Sequence, residues 1–304
     1  MQVWKSLEPN TQKFQRGVVT VGNFDGLHLG HQSLLRLAEK VPGPKIVITF
    51  DPHPMQILRP ERHLKRLFPR EDLIEQLPKY GVDLLMILPF TREFAALPAR
   101  EFLDRYIAVF QPTDVVAGYD FTFGSGREGT LDFLREWGAA GGIQIDVLPP
   151  LRMSNEVVSS RRIRDMIIHG DVHGAHLLLG RPFYLRGEVI AGAGRGAQIG
   201  IPTLNQSVSN ETLPPKGVYA TRVRCEGMAY PSVTNVGTNP TFENGEQLKF
   251  ETHVLDQKVE WRGKIIDVEL LERLRDEKKF SGIEDLKKQI QTDILKAKAI
   301  LGRF

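Results

Sequence analysis

The sequence predicts an α/β chain in two parts: a doubly wound parallel sheet, then an antiparallel barrel or sandwich with a closing helix. Three observations predict it. The first half alternates short, almost continuously apolar runs with amphipathic stretches, the pattern of parallel strands covered by helices on both faces. Beyond Gly180-Arg181-Pro182 that alternation stops, and β-type runs follow one another, separated by Gly, Pro and Asn. The chain then ends on one apolar stripe at helical spacing. A length of 304 residues has room for two domains with separate cores, and the boundary is placed to give domains 1–185 and 186–304.

In chain order, first-half strands are predicted at 17–21, 45–50, 82–88, 114–118 and 143–148, where β-branched and aliphatic residues cluster. Helices are predicted between them at 31–40, 71–79, 99–110 and 129–140, and beyond them at 159–168 and 172–179. Second-half strands are predicted at 185–190, 217–224, 230–236, 250–255 and 265–271. The final helix is marked by a capping box, Ser281 with Glu284, and by Gly302 as its stop. Its stripe of Ile283, Leu286, Ile290, Ile294, Ala297 and Leu301 reads as core packing.

The formal charge is only +3 and is shared evenly between the halves, so no nucleic-acid groove is indicated. Short basic clusters such as Arg161-Arg162-Ile163-Arg164 suit a phosphate-rich small molecule better than a duplex. A single cysteine, Cys225, excludes an internal disulfide and fits a reducing compartment. The N-terminus has no apolar signal core, and no run approaches the ~20 residues that span a bilayer. A cytoplasmic protein without membrane partners is expected.

The most informative stretch is Gly22-Asn23-Phe24-Asp25-Gly26-Leu27-His28-Leu29-Gly30-His31-Gln32, between the first strand and the first helix. A glycine-bearing turn at a helix start aims backbone N–H groups and the positive dipole end at an anion. His28 and His31, three residues apart, share a helix face and can reach the same anion. In Rossmann-like sheets ligands bind beyond the carboxyl ends of the strands. Asp51-Pro52-His53-Pro54 and the segment from Tyr119 to Gly126 fall at such ends too. Neither Gly-x-x-x-x-Gly-Lys-[Ser/Thr] nor Gly-x-Gly-x-x-Gly is present in this turn, which excludes a P-loop and disfavours a dinucleotide oxidoreductase. The His-x-Gly-His turn instead resembles the nucleotidylyltransferase superfamily, whose histidines hold a nucleoside triphosphate. Ser159-Ser160-Arg161-Arg162-Ile163-Arg164 adds hydroxyls and guanidinium groups suited to polyphosphate.

With Thr49-Phe50-Asp51-Pro52-His53-Pro54 and the 118–129 segment, these motifs occur in the order seen in bacterial bifunctional riboflavin kinase/FAD synthetases, which the chain resembles. The resemblance implies that the first domain adenylylates FMN. It implies that His28 and His31 contact ATP phosphates while Gly22, Asn23, Asp25 and Gly26 shape the turn. It assigns Ser160 and Arg164 to the leaving pyrophosphate, Asp120 to the nucleotide, and Phe50, His53 and Phe123 to the flavin. Arg161 stands where the family usually has Ser or Thr.

In the second half, the run from Gly192 through Gly196 and Gly200 to Thr203 and Asn205 can bring backbone amides against phosphate and hard oxygens against Mg²⁺. Gly217-Val218-Tyr219-Ala220, the 235–242 segment, Glu251-Thr252-His253 and Leu274–Phe280 are similar to the family's riboflavin kinase module, a barrel. Ile201 and Leu204 replace the family's Phe and Ala in its Gly-Phe-Pro-Thr-Ala-Asn pattern. The resemblance makes Thr203 and Asn205 ligands of Mg-ATP, Glu251 the general base, and Arg275 a flavin contact. Strand alternation puts Glu251 and His253 on one face. The implied substrates and products are ATP, riboflavin, FMN and FAD. A kinase with an impaired first domain, or a non-catalytic flavin-binding regulator, would keep parts of the same pattern.

Overall fold

The computed structural model describes residues 1–6, 11–192, 194–239 and 247–302. It divides into two compact units: Met1–Lys65 with Arg70–Ser159, and Arg66–Pro69 with the chain from Ser160 onward.

The first unit holds strands β1 (Gln2–Trp4), β2 (Val18–Val21), β3 (Lys45–Asp51), β4 (Leu84–Pro89), β5 (Asp114–Gly118) and β6 (Gln144–Leu148). They form one parallel sheet in the order β1-β4-β3-β2-β5-β6. Helices α1 (Leu29–Glu39), α2 (Pro54–Leu58), α3 (Arg70–Gln76), α4 (Arg92–Ala95), α5 (Ala99–Tyr106) and α6 (Leu131–Gly141) connect them. Val19, Val21, Ile48 and Met86 pack on one face with Phe102 and Trp137. Val47, Leu85 and Ile87 pack on the other with Leu27 and Leu35. Burial on both faces is why the strands read as continuous apolar runs. The five predicted strands are present. Strand β1 is a sixth at the sheet edge, three residues long and too short for a period to show. A hairpin of β7 (Arg152–Met153) and β8 (Glu156–Val157) was likewise not expected. Strand order reverses at β2, whose neighbours are β3 and β5, so the β2/β5 crevice is the topological switch point.

The second unit opens with α7 (Ser160–His169) and α8 (Val172–Leu179). Strands β9 (Phe183–Ile190), β10 (Leu204–Val208), β11 (Gly217–Cys225), β12 (Met228–Asn239), β13 (Gln247–Val254) and β14 (Ile265–Arg275) follow, with the single turn α9 (Arg195–Gln198) after β9. They close into an antiparallel barrel in the order β10-β13-β12-β11-β14-β9, so the open choice between barrel and sandwich resolves to the barrel. Strand β10, unexpected from the sequence, is the stave that joins β9 to β13. Inside, fully buried Thr221, Ser232, Thr234 and Thr252 link through hydroxyl hydrogen bonds of 2.8–2.9 Å.

Helix α10 (Ile283–Leu301) seats Ala297 and Ile300 on Val218, Ala220, Val233 and Leu271. Its start corrects the capping-box expectation. The N-cap is Gly282, which has no side chain to cap with, and the Ser281 hydroxyl bonds the Asp285 carboxylate instead. Ser281 stands one residue too early for the reciprocal geometry the box requires. The stripe is also only partly core: Ile283 is 59% exposed, whereas Ala297 is fully buried. Among the described residues no helix is long and apolar enough to cross a membrane.

Candidate active sites

Strand β2 delivers the chain into the 22–32 turn, where Gly22 N–H donates to Ile48 O at 3.1 Å. Phe24 (φ 49°), Gly26 (φ 81°) and Leu27 (φ 43°) take left-handed conformations. The Phe24 and Leu27 side chains are 2% exposed in the core, and that anchorage holds the coiled backbone. Thr49 Oγ1 donates to Asn23 O at 3.3 Å, and Gln32 Nε2 to Leu27 O at 2.9 Å, tying both ends of the turn. Asp25 is buried within it.

His28 is the N-cap of α1, its Nδ1 accepting from His31 N–H at 3.4 Å. An Nδ1 that accepts leaves the proton of a neutral ring on Nε2, so that edge is a donor. The two imidazoles stack at 3.6 Å with a 17° interplanar angle. Gly30 makes room for this: a Cβ there would stand 3.2 Å from the His28 ring. Burial pushes the His28 pKa down to about 4. Burial, and then the neighbouring His28, hold His31 well below the usual imidazole range. Both rings are neutral at pH 7, and His31 Nδ1 has no hydrogen-bond partner.

Asp120 lies just beyond β5, the strand across the switch point from β2, with Oδ1 against Gly118. Phe50, at the end of β3, packs on Phe90 and Phe94 at 5.6 and 5.7 Å. His53 caps α2, accepting at Nδ1 from Met55 N–H at 3.1 Å. Phe123 is 8% exposed and belongs to the aromatic core, with Phe121 stacked on it at 5.1 Å. Ser160 and Arg164 lie on α7, in the second unit. Arg161 is 89% exposed and pairs only loosely with Asp165, at 4.0 Å.

In the second unit, register assembles what sequence separation hides. Asn205 of β10 and Asn235 of β12 are the cross-strand partners of Glu251 on β13, so the carboxylate stands in a row between two amides. The glycine run folds against this row. A Cβ on Gly192 would stand 2.0 Å from Asn205 Nδ2, and one on Gly196 3.3 Å from Thr203 Oγ1. Gly200 has φ 83°, which favours glycine. Ala193 lies outside the described residues, as do Pro240–Phe242 of the 235–242 motif. Asn205 is 8% exposed and its Oδ1 has no partner, an unmet need in a buried amide. Lys249 Nζ reaches Glu251 Oε1 at 3.4 Å.

His253 Nδ1 contacts Pro202 O at 2.8 Å, which fixes the exit of the glycine run. Arg275 is engaged elsewhere: its guanidinium grips buried Asp293 of α10 at 2.8 and 2.9 Å and donates to Asp276 O. Among the described residues no cluster of three or more His, Cys, Asp or Glu could hold a metal by itself. Sequence reasoning missed Lys249, to which alternation along β13 points, two residues before Glu251. It included Asn235 in the 235–242 motif without a role, and only strand pairing places it opposite Glu251.

Two family models match the chain, FAD synthetase over residues 10–162 and riboflavin kinase over residues 179–301. The bifunctional riboflavin kinase/FMN adenylyltransferase of Bacillus subtilis (strain 168) is 37% identical, over 91% of this chain and 90% of the relative. That of Escherichia coli (strain K12) is 34% identical, over 99% and 98%. A crystal structure titled as a macrolide-efflux protein from Streptococcus pneumoniae is 34% identical with a TM-score of 0.85, covering 92% of each chain.

Proposed function

We infer the chemistry of each half from one premise: the chain belongs to the family of bifunctional riboflavin kinase/FMN adenylyltransferases. It phosphorylates riboflavin to FMN with ATP, then adenylylates FMN to FAD with a second ATP and releases pyrophosphate. We assign the second step to domain 1–185 and the first to domain 186–304. The observation that carries the assignment of groups is the row Asn205–Glu251–Asn235, a carboxylate held beside hard oxygens and a glycine run.

In the kinase step the riboflavin hydroxyl oxygen attacks the γ-phosphorus, and the bond from that phosphorus to the β–γ bridging oxygen breaks. Glu251 accepts the hydroxyl proton, a role worth roughly 10²–10⁴ in rate. Asn205 Oδ1, buried and unpartnered, and the Thr203 hydroxyl fit a hard divalent cation. Mg²⁺ bound there would neutralise phosphate charge, with ATP supplying most of its ligands. Gly192, Gly196 and Gly200 let backbone amides approach the phosphates.

In the adenylyl step an FMN phosphate oxygen attacks the α-phosphorus and the bond to pyrophosphate breaks. The protein supplies position and charge stabilisation rather than a nucleophile. His28 Nε2–H donates to phosphate oxygen and His31 lies stacked beside it. Gly22, Asn23, Asp25 and Gly26 form the turn that presents them. Asp120 serves the nucleotide, and Phe50 and His53 the flavin. Phe123 supports the flavin side from within the core, and Arg275 acts through its hold on α10. Ser160 and Arg164 are assigned to pyrophosphate on the resemblance alone. The partners we assign are these small molecules, with no nucleic-acid or membrane partner, and buried, free Cys225 suits a cytoplasmic location.

Incubation with riboflavin, ATP and Mg²⁺ followed by chromatography tests this function. FMN plus FAD is expected. FMN alone would point to an impaired first domain, and unchanged riboflavin to a non-catalytic flavin binder.

A further inference from the structure

Lys249 and Glu251 alternate along β13 and so project from the same face. Their charged ends lie 3.4 Å apart, each side chain 34% exposed. The cross-strand partner of Lys249 is Gly237, which has no side chain to crowd the lysine stem. Gly237 also admits Glu277, whose Oε1 is 2.8 Å from where a Cβ would stand, with Asn235 Nδ2 3.2 Å from the same point. The two amides that flank Glu251 in the row carry no charge, and Glu277 brings a second carboxylate rather than a cation to this side of the barrel.

That arrangement has a chemical difficulty that a lysine relieves. Glu251 must stay close to a triphosphate tail, and like charges drive a flexible carboxylate away from it. An ion pair as exposed as this one adds little to stability. Its effect falls on where the carboxylate points. We propose that Lys249 is a positioning residue of the kinase site: it holds Glu251 by Oε1, leaves Oε2 to receive the hydroxyl proton, and offsets carboxylate charge facing the phosphates. The proposal rests on the reading of Glu251 as the general base. It adds no bond-making step, since the proton still passes from the hydroxyl to Glu251.

The test compares full-length K249M, K249R and E251Q in riboflavin phosphorylation, with adenylylation of supplied FMN as internal reference. For K249M, kinase kcat is expected to fall about 10- to 100-fold because the base is misplaced, with the KM for riboflavin within about threefold of the parent. FMN adenylylation and the melting curve should not move, and K249R should restore most of the kinase rate. If E251Q is inactive but K249M keeps kcat within about threefold of the parent, the proposal fails while the base assignment stands. If E251Q keeps its kinase activity, the base assignment itself fails. A loss in K249M that comes with a lower Tm, or that K249R does not repair, also overturns the positioning role.

Discussion

Replacing His28 with Asn removes the imidazole but keeps a good N-cap acceptor at the start of α1. The structure sets the size of the expected effect. The His28 ring is 6% exposed, and burial lowers its pKa from 6.5 to about 4. Between those values the unfolded chain binds a proton that the folded chain refuses. Stability is therefore full above pH 6.5 and falls as pH drops through the window. At about 1.36 kcal/mol per pKa unit, the histidine should cost the folded state about 2 kcal/mol at pH 5, approaching about 3 kcal/mol below pH 4. Burial of His31 acts in both proteins, so the difference between parent and H28N reports His28 together with its coupling to His31. Urea unfolding in a Trp261→Phe background leaves Trp4 and Trp137, both in the first unit, as reporters. The parent should lose about 2 kcal/mol more than H28N between pH 7.5 and pH 5. Parallel curves would refute the buried, neutral imidazole and the Nε2–H donor deduced from it.

Function should divide by site. H28A should stop FAD formation while FMN still accumulates, and E251A should lower FMN formation by about 10²–10⁴ while supplied FMN is still adenylylated. Chromatography of both reactions checks this, and loss of both activities in either folded variant would break the two-site assignment. Gly192→Ala would drive a methyl into the Asn205 amide, which lies 2.0 Å from its position. Kinase kcat should fall by about tenfold or more with FMN adenylylation intact, measured by the same assay. Asp293→Asn leaves Arg275 without its carboxylate in a site where Asp293 is 2% exposed. Melting of the barrel unit should show a loss of about 3 kcal/mol.

How much the sequence showed depended on whether each feature was local. Strands β2, β3 and β4 were legible because both faces are buried, so Val19 and Val47 alike had to be apolar. Strand β10 was not, because Gln206 points inward and donates to Leu185 O and Ile266 O, giving a polar residue where alternation expects an apolar one. The barrel interior repeats this with Thr221, Ser232, Thr234 and Thr252, so its strands look less like half-buried strands than they are. The histidine turn was legible as a contiguous motif, but the stacking of its rings was not. The Asn205–Glu251–Asn235 row draws on three strands distant in the chain, and no local period encodes it. Ser281 shows the opposite failure: a correct local pattern, displaced by one residue when Gly282 took the cap.

The left-handed residues of the 22–32 turn have a consequence for binding thermodynamics. Phe24 and Leu27 hold uncommon backbone angles because their side chains are embedded in the core. Such conformations cost of order 1–3 kcal/mol each and persist only where the surroundings over-determine them. That cost is met during folding, so on the proposed assignment a polyphosphate bound at this turn would find the backbone already shaped and would spend little chain entropy in ordering it. On that assignment, affinity at the turn is tied to the integrity of an apolar core, and trimming Leu27 should weaken nucleotide binding without touching either histidine.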